Sequence, residues 1–406
     1  MSRNPSLPTY AHYKATFAGR PMPFAYVNLD LLDENIRQIL ARAGGKKIRI
    51  ASKSVRCRRI LSHLLEASPE IQGLMCFTST EAVWLSQQGF DDLLIAYPTW
   101  HPEHLSAVLH ETARGKQIIL MVDSVEHVRQ IQAVAETFAE RGTPVHQPVC
   151  LDLDMSTKLP GVHFGVFRSP VRGLDAALQV FSAIKSASHL ELSSLMGYEA
   201  QIAGVGDQMP GQALKNSAVR FLKKRSVRQL ARRRGAVVRE LEKAGAQLAI
   251  VNGGGTGSME TTRREAWVTE ITVGSGFYNS HLFDYYSNFR HLPAAGFAIE
   301  IVRQPQPGIY TCHGGGYVAS GSVGKERLPV LHLPEGARFH PNEAAGEVQT
   351  PVLYRGNQVL RHGDPVFLRH SKAGELCERF NQLLLVRDGA VIEEVPTYRG
   401  EGQCFL

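Results

Sequence analysis

A chain of 406 residues with 43% hydrophobic and 20% charged residues is ordinary globular material. It is long enough to bury a large core without metal or disulfide staples, which predicts two domains, or one barrel with a smaller companion. The formal charge of +7 and pI of about 9.1 are mildly basic, six scattered cysteines without a CxxC pair argue against a disulfide framework, and no apolar run reaches membrane-spanning length. With a polar N-terminus that lacks a signal core, these features predict a cytoplasmic protein with no membrane partner.

Residues 1–23 carry prolines and aromatics and read as an N-terminal arm. An alternation begins at residue 24, with FAYVNLD (24–30) as a strand and LLDENIRQILARA as a helix. Eight short apolar runs follow: IRIAS (48–52), GLMCF (73–77), LLIAY (93–97), IILMV (118–122), VCLDLD (149–154), LSSLM (192–196), LAIVN (248–252) and VTEITV (268–273). Most are separated by stretches such as CRRILSHLLEA and VEHVRQIQAVAETFAERG, where apolar residues recur at helical spacing. Buried strands alternating with helices predict a parallel sheet covered on its outer face. The fold class is therefore α/β, a (β/α)8 TIM-type barrel over 24–285, with a doubly wound sheet as the alternative. Near residue 285 the helical period fades, and runs such as FAIEIV, GIYTC, DPVFLRH and QLLLVRDG appear between turn residues. Residues 286–406 read as a mostly β C-terminal domain.

Much of the positive charge lies in one segment, Arg220 to Lys243. It reads either as a patch for nucleic acid or anionic lipid, or as the solvated face of an amphipathic helix whose apolar residues are Phe221, Leu222, Val227, Leu230, Val237, Val238 and Leu241. No nucleic-acid-binding motif accompanies it, so the second reading is preferred and no nucleic-acid partner is expected.

Active sites of such barrels lie at the C-terminal strand ends, so reactive residues just after each run are the candidates. Lys53 follows the IRIAS run, where desolvation would make its amine a Schiff-base nucleophile, although a lysine after a strand is commonly just solvated. The run LAIVN leads into Gly253, Gly254, Gly255, Thr256, Gly257 and Ser258. Glycines let backbone N–H groups approach a phosphate and hydroxyls add donors; the alternative is a flexible turn. The next run continues into Gly274, Ser275 and Gly276, with Tyr278 close behind. Two adjacent phosphate-type loops and a lysine on an early strand suggest a phosphorylated aldehyde cofactor.

This order of motifs resembles the fold-type III enzymes dependent on pyridoxal 5'-phosphate (PLP), the alanine racemase superfamily, and within it the D-threonine aldolase and D-serine dehydratase branch. The stretch Arg49-Ile-Ala-Ser-Lys53-Ser is similar to the branch's R-P-H-x-K-T-H motif without its Pro-His pair. Gly253 to Ser258 matches G-G-G-T-x-T, and Glu270 with Gly274 and Tyr278 resembles E-x-x-x-G-x-Y/F. Gly197, Tyr198, Glu199, Ala200 and Gln201 look like G-Y-E-G-H, with Gln for the final His. Asp154 to Lys158 is similar to D-x-G-x-x-R, and His313 to Ser320, with Tyr317, resembles a β-domain strand that approaches the partner's active site in relatives.

The resemblance implies PLP held by Lys53, with Arg49, Lys158 (in place of the arginine at the ring oxygen), Tyr198, Asn252, Gly254, Gly255, Thr256, Gly274, Ser275 and Tyr278 around it. Tyr198, His313 and Tyr317 are then the candidate acids and bases beside Lys53, and His163 is a further one. Counting back from Asn381 places Glu375 and Cys377, with His370 nearby, at the branch's site for a divalent metal such as Zn, Mn or Mg; a turn with exposed charges is the plainer reading. The implied activity is a lyase on a D-β-hydroxy amino acid, a small substrate, in a homodimer. A racemase or epimerase using Lys53 and a tyrosine is the alternative. A non-catalytic PLP-binding protein is another, against which the 286–406 domain argues.

Overall fold

The computed structural model describes residues 6–159 and 161–406. They form two compact units: one of residues up to 39, 54–63 and 275–404, the other of 40–53, 64–274 and 405–406. In chain order the first elements are α1 (Tyr10–Thr16), β1 (Phe24–Asn28) and α2 (Leu29–Ala43). Next come β2 (Lys47–Ala51), α3 (Arg58–Glu66), β3 (Ile71–Cys76), α4 (Ser79–Gln87), β4 (Leu93–Ile95), α5 (Pro102–Ala113), β5 (Ile118–Val122), α6 (Val125–Glu140) and β6 (Gln147–Asp152). A hairpin of β7 (Thr157–Leu159) and β8 (Val162–Phe164) leads to α7 (Leu174–Ser186), β9 (Leu190–Gly197), α8 (Ala200–Ala203) and α9 (Ala213–Lys243). After β10 (Ile250–Gly253), α10 (Met259–Thr262), β11 (Glu270–Val273) and α11 (Ser275–Tyr278), the chain turns to strands. These are β12 (Ala295–Gln306), β13 (Ile309–His313), β14 (Val330–Leu333), β15 (Arg338–Phe339), β16 (Gln349–Leu353), β17 (Pro365–Arg369), β18 (Gln382–Arg387) and β19 (Ala390–Pro396).

In the second unit β2, β3, β4, β5, β6, β9, β10 and β11 close in that order into a parallel barrel. These are the eight apolar runs of the sequence. They are buried almost throughout, as strands covered on both faces must be. Leu94, Ile119, Met121, Cys150, Met196 and Ile250 fill one side of the interior. The other side is polar. Arg49 is fully buried, its Nε 2.6 Å from Glu270, and its Nη2 is 2.8 Å from Asp92. Its Nη1 donates to the carbonyls of Asp92 (2.8 Å) and Leu74 (3.3 Å). Gly73 has φ +60°, and a Cβ there would run into the Arg49 guanidinium and the Asp92 carboxylate, so the residue opposite this cluster must be glycine.

In the other unit the described residues form a nine-stranded sheet. Its path runs β15, β16, β13, β12, β1, β18, β19, while β17 pairs with β12 and β14. This corrects two domain boundaries. The strand at 24–28 does not open the barrel; it runs antiparallel to β12 and parallel to β18. All five of its residues are buried, and such a run carries no mark of which sheet it joins. At the other end, the β unit takes up the chain from residue 275, not 286. The expected arm is also more ordered than its composition suggests, although its first five residues lie outside the described ones. Thr9 caps α1, and Tyr10, Tyr13 and Phe17 form one buried helical face against Phe24, Tyr26 and Phe367.

The basic segment lies in α9. Leu230, Val237, Val238 and Leu241 are buried there as expected, whereas Phe221 is exposed. Among the described residues no disulfide forms, and no helix is long and apolar enough to cross a membrane.

Candidate active site

Reactive side chains gather at the C-terminal ends of the barrel strands. Past Ala51 the chain makes a single tight turn, Ser52–Ser54, which carries Lys53. The Ser52 hydroxyl donates to the Met75 carbonyl at 3.0 Å and ties this turn to β3. Tyr97, two residues beyond β4, senses the lysine directly. Lys53 is the main cause holding the phenol below its ordinary pKa, against burial, and Arg168 acts in the same direction.

Arg168 comes from the loop after β8. Its Cζ lies 4.7 Å from the Tyr97 ring centroid, a cation–π contact, and it donates to the Ala96 carbonyl. Its Nε donates to Asp152 Oδ2 at 2.6 Å. Asp152 ends β6 and is 1% exposed, and its Oδ1 has no hydrogen-bond partner among the described residues. Burial pushes this carboxyl up to about 7; Arg168 opposes the shift, and Asp123 and Asp154 add to it. Lys53, Tyr97, Arg168 and Asp152 thus form a chain of charge across the ends of β2, β4 and β6, with one carboxyl poised to titrate near neutrality.

On the neighbouring strands the loop after β10 is shaped by close contacts. Gly254 has φ +79°, and a Cβ on it would lie 2.8 Å from Ile271. A Cβ on Gly255 would lie 2.8 Å from Ala203 and 3.3 Å from the Tyr198 ring. Glu199, just past β9, accepts the Gly254 N–H at 3.1 Å and the Ser258 hydroxyl at 3.2 Å, and the Thr262 hydroxyl donates to it as well. The Gly255 N–H donates to Ser258 at 3.1 Å. Gly257 is buried, and its N–H makes no hydrogen bond among the described residues. A buried, unpaired backbone donor in a glycine loop is the signature of a place for an anion. The next strand, β11, leads directly into buried Gly274.

Several residues expected at the cofactor have partners within the protein. Arg49 is spent on Glu270 and Asp92 inside the barrel. Asn252 donates to Glu270 at 2.7 Å and Thr272 at 2.8 Å, and accepts from Thr272. Both belong to the polar layer of the core, because their side chains point inward from mid-strand. Lys158 sits exposed on the β7–β8 hairpin, opposite His163, whereas Arg168 is the cation that reaches Asp152 and Tyr97. Tyr278 is fully buried and donates to the Val55 carbonyl at 3.2 Å, which makes it a core residue of the β unit. Tyr198 stays beside the glycine loop, its hydroxyl pushed up to about 12 by burial and then by Glu199. The ring of His163 stacks on Phe167, with centroids 4.1 Å apart. Gln201, which stands at the last position of the G-Y-E-G-H resemblance, donates to the Met155 carbonyl at 2.6 Å.

The β unit carries the remaining candidates. Ser275 opens α11; His313 is exposed at the end of β13. Tyr317 is buried, and burial followed by Glu375 raises its pKa well above the ordinary value, so it is a neutral phenol. The metal trio is not assembled. Glu375 accepts the Ser320 N–H at 3.1 Å, and the fully buried Cys377 thiol points to the Val55 carbonyl at 3.3 Å, its pKa raised by burial. His370 is fully buried with its pKa pushed down to about 3 by burial. Among the described residues no three His, Cys, Asp or Glu side chains are arranged to hold a metal. A thiol held neutral in an apolar setting is a poor start for a ligand that must bind as thiolate.

Sequence reasoning passed over Tyr97, Arg168, Asp152 and Arg234. Tyr97 was visible as the polar residue closing the run LLIAY, and Asp152 as a polar residue inside the run VCLDLD. Arg168 lies in a loop without period, and Arg234 sits among exposed arginines it resembles in every local respect.

The family profile "Alanine racemase, N-terminal domain" matches residues 27–281. The chain matches no curated protein. Among solved structures it is similar to D-threonine aldolase from Filomicrobium marinum, at 17% identity and TM-score 0.75, over 94% of this chain and 95% of that one. It is also similar to D-threo-3-hydroxyaspartate dehydratase from Delftia sp. HT23, at 18% identity and TM-score 0.70, over 94% and 98%. Alanine racemase of Clostridium difficile 630 in complex with cycloserine aligns at 15% identity and TM-score 0.63, over 93% and 99%. At these identities the likeness establishes the fold. Because the profile spans more than half of the chain, the protein belongs to the alanine racemase N-terminal-domain family, the fold-type III PLP enzymes.

Proposed function

We propose that the protein is a PLP-dependent lyase acting on a D-β-hydroxy amino acid, by aldol cleavage or by dehydration. The observation that carries the cofactor part is the placement of Lys53 and the Gly254–Ser258 loop. They stand at the same end of the barrel, on β2 and β10, with only β11 between. That spacing suits a molecule with an aldehyde at one end and a phosphate at the other. The residues present fit such a group: Gly257 offers a buried unpaired N–H, and the loop backbone comes so close to Ile271 at Gly254, and to Ala203 and Tyr198 at Gly255, that side chains there are excluded.

When bound, PLP supplies an electron-withdrawing ring that takes up the electron pair left at Cα when a bond to it breaks. The chain's own residues do the rest. Lys53 would hold the aldehyde and be the nearest base. Arg168, fixed by Asp152 and Tyr97, would present a cation to the cofactor, in the role the resemblance gave to Lys158. Asp152, titrating near 7, can hold or give up a proton at working pH.

The lyase assignment draws on the aldolase and the dehydratase whose folds this chain shares. A racemase is the second reading, supported by the alanine racemase neighbour. The test is a product assay of the PLP-loaded protein with D-threonine and D-serine in deuterated water, with and without divalent metal. Glycine plus acetaldehyde, or keto acid plus ammonia, is the expected outcome. Deuterium at Cα without bond cleavage would replace the lyase by the racemase, and no change with either substrate would contradict the lyase reading for both. A homodimer is proposed from the family resemblance, to be read by sedimentation velocity.

A further inference from the structure

The floor of the glycine loop is built from three remote parts of the barrel unit. Gly197 ends β9 and Gly253 ends β10, and the two are register partners. The Arg234 guanidinium of α9 lies beneath both: a Cβ on Gly197 would be 3.2 Å from its Nε, and a Cβ on Gly253 would be 3.0 Å from its Cζ. Paired glycines thus open a slot for one fully buried guanidinium. From that slot Arg234 Nη2 donates to the Gly197 carbonyl and to Glu199 Oε2, each at 2.8 Å, while Nη1 pairs with Glu265 at 2.5 Å. Glu199 is 2% exposed and therefore needs this partner. Its two oxygens accept from Arg234, the Gly254 N–H, Ser258 and Thr262. Every one of these donors belongs to the loop, to the short helix after it or to the guanidinium that supports them.

We infer that Glu199, held by Arg234, is the positioning residue for the phosphate end of the cofactor site; the inference rests on the proposed PLP reading. Glu199 does not meet the phosphate. It draws the Gly254 N–H and the hydroxyls of Ser258 and Thr262 inward, and Ser258 in turn occupies the Gly255 N–H. What stays available is the donor further along, at Gly257. A carboxylate so close to a bound phosphate would repel it, but the buried Arg234 guanidinium pairs with Glu199 and offsets its charge. An amide at position 199 would turn an N–H₂ group toward a donor and release the loop.

The test compares two ligands that differ only in the phosphate. The full-length protein, freed of cofactor, is titrated with PLP and with pyridoxal by absorbance. Glu199→Gln is expected to weaken PLP roughly tenfold, the scale of one lost charge-assisted hydrogen bond, and to change pyridoxal little. Thr262→Val, which keeps shape and leaves the ion pair intact, is expected to move the same ratio less far and serves if Glu199→Gln does not fold. Equal losses for both ligands would mean that Glu199 only supports the fold and would overturn the inference, as would an unchanged ratio in both variants. A wild-type protein that binds the two ligands equally would overturn the phosphate reading of the loop itself.

Discussion

Asp152 brings burial, charge and function together at a single carboxyl. It is enclosed at the end of β6 with one oxygen on Arg168 and the other without a partner, and burial lifts its pKa from 3.8 to about 7. The folded chain therefore holds this proton more tightly than the unfolded chain. Its stabilising contribution is complete below about pH 4 and is lost as pH rises through about 7. Asp152→Asn cannot ionise and escapes that loss. Thermal melts from about pH 5 to about pH 8 should show the Tm difference moving in the variant's favour. A difference that stays flat over this range would mean the carboxyl is ionised throughout. This residue was readable as a polar interruption of the apolar run VCLDLD, but its partner was not: Arg168 and Lys158 are both loop cations in sequence, and only the path of the β7–β8 hairpin decides which of them turns inward.

At the scale of elements, the barrel strands were legible because eight apolar runs with helical stretches between most of them have few ways to fold. The strand at 24–28 misled for the same reason, since a wholly buried run fits either sheet. Inside the barrel, Arg49 and Asn252, which the family resemblance placed at the cofactor, join Glu270 and Asp92 in a polar cluster. The two roles separate in one variant. Arg49→Met leaves Glu270 buried without its cation and is expected to lower unfolding stability by about 3–5 kcal/mol in a urea titration. A variant as stable as wild type that has lost cofactor affinity would return Arg49 to the cofactor site. Helix α9 shows the converse failure of local reading. Its exposed and buried arginines are identical in sequence terms, yet Arg234 reaches the core only because Gly197 and Gly253 leave it room.

For the whole molecule, the order of motifs along the chain carried further than any single motif. Lys53 alone is an ordinary lysine after a strand, and Gly253–Ser258 alone is an ordinary turn; the closed barrel places them one strand apart at the same end. The expected metal trio is not brought together among the described residues, since Glu375 turns to a backbone N–H and the buried Cys377 thiol to the Val55 carbonyl. The central claim is that this barrel holds PLP on Lys53. Its most direct test is borohydride reduction of the PLP-loaded protein, followed by proteolysis and mass spectrometry, with Lys53→Ala in parallel. The account predicts the reduced cofactor on the peptide containing Lys53 and no trapping in the variant; a cofactor fixed to another lysine, or none fixed at all, would contradict it.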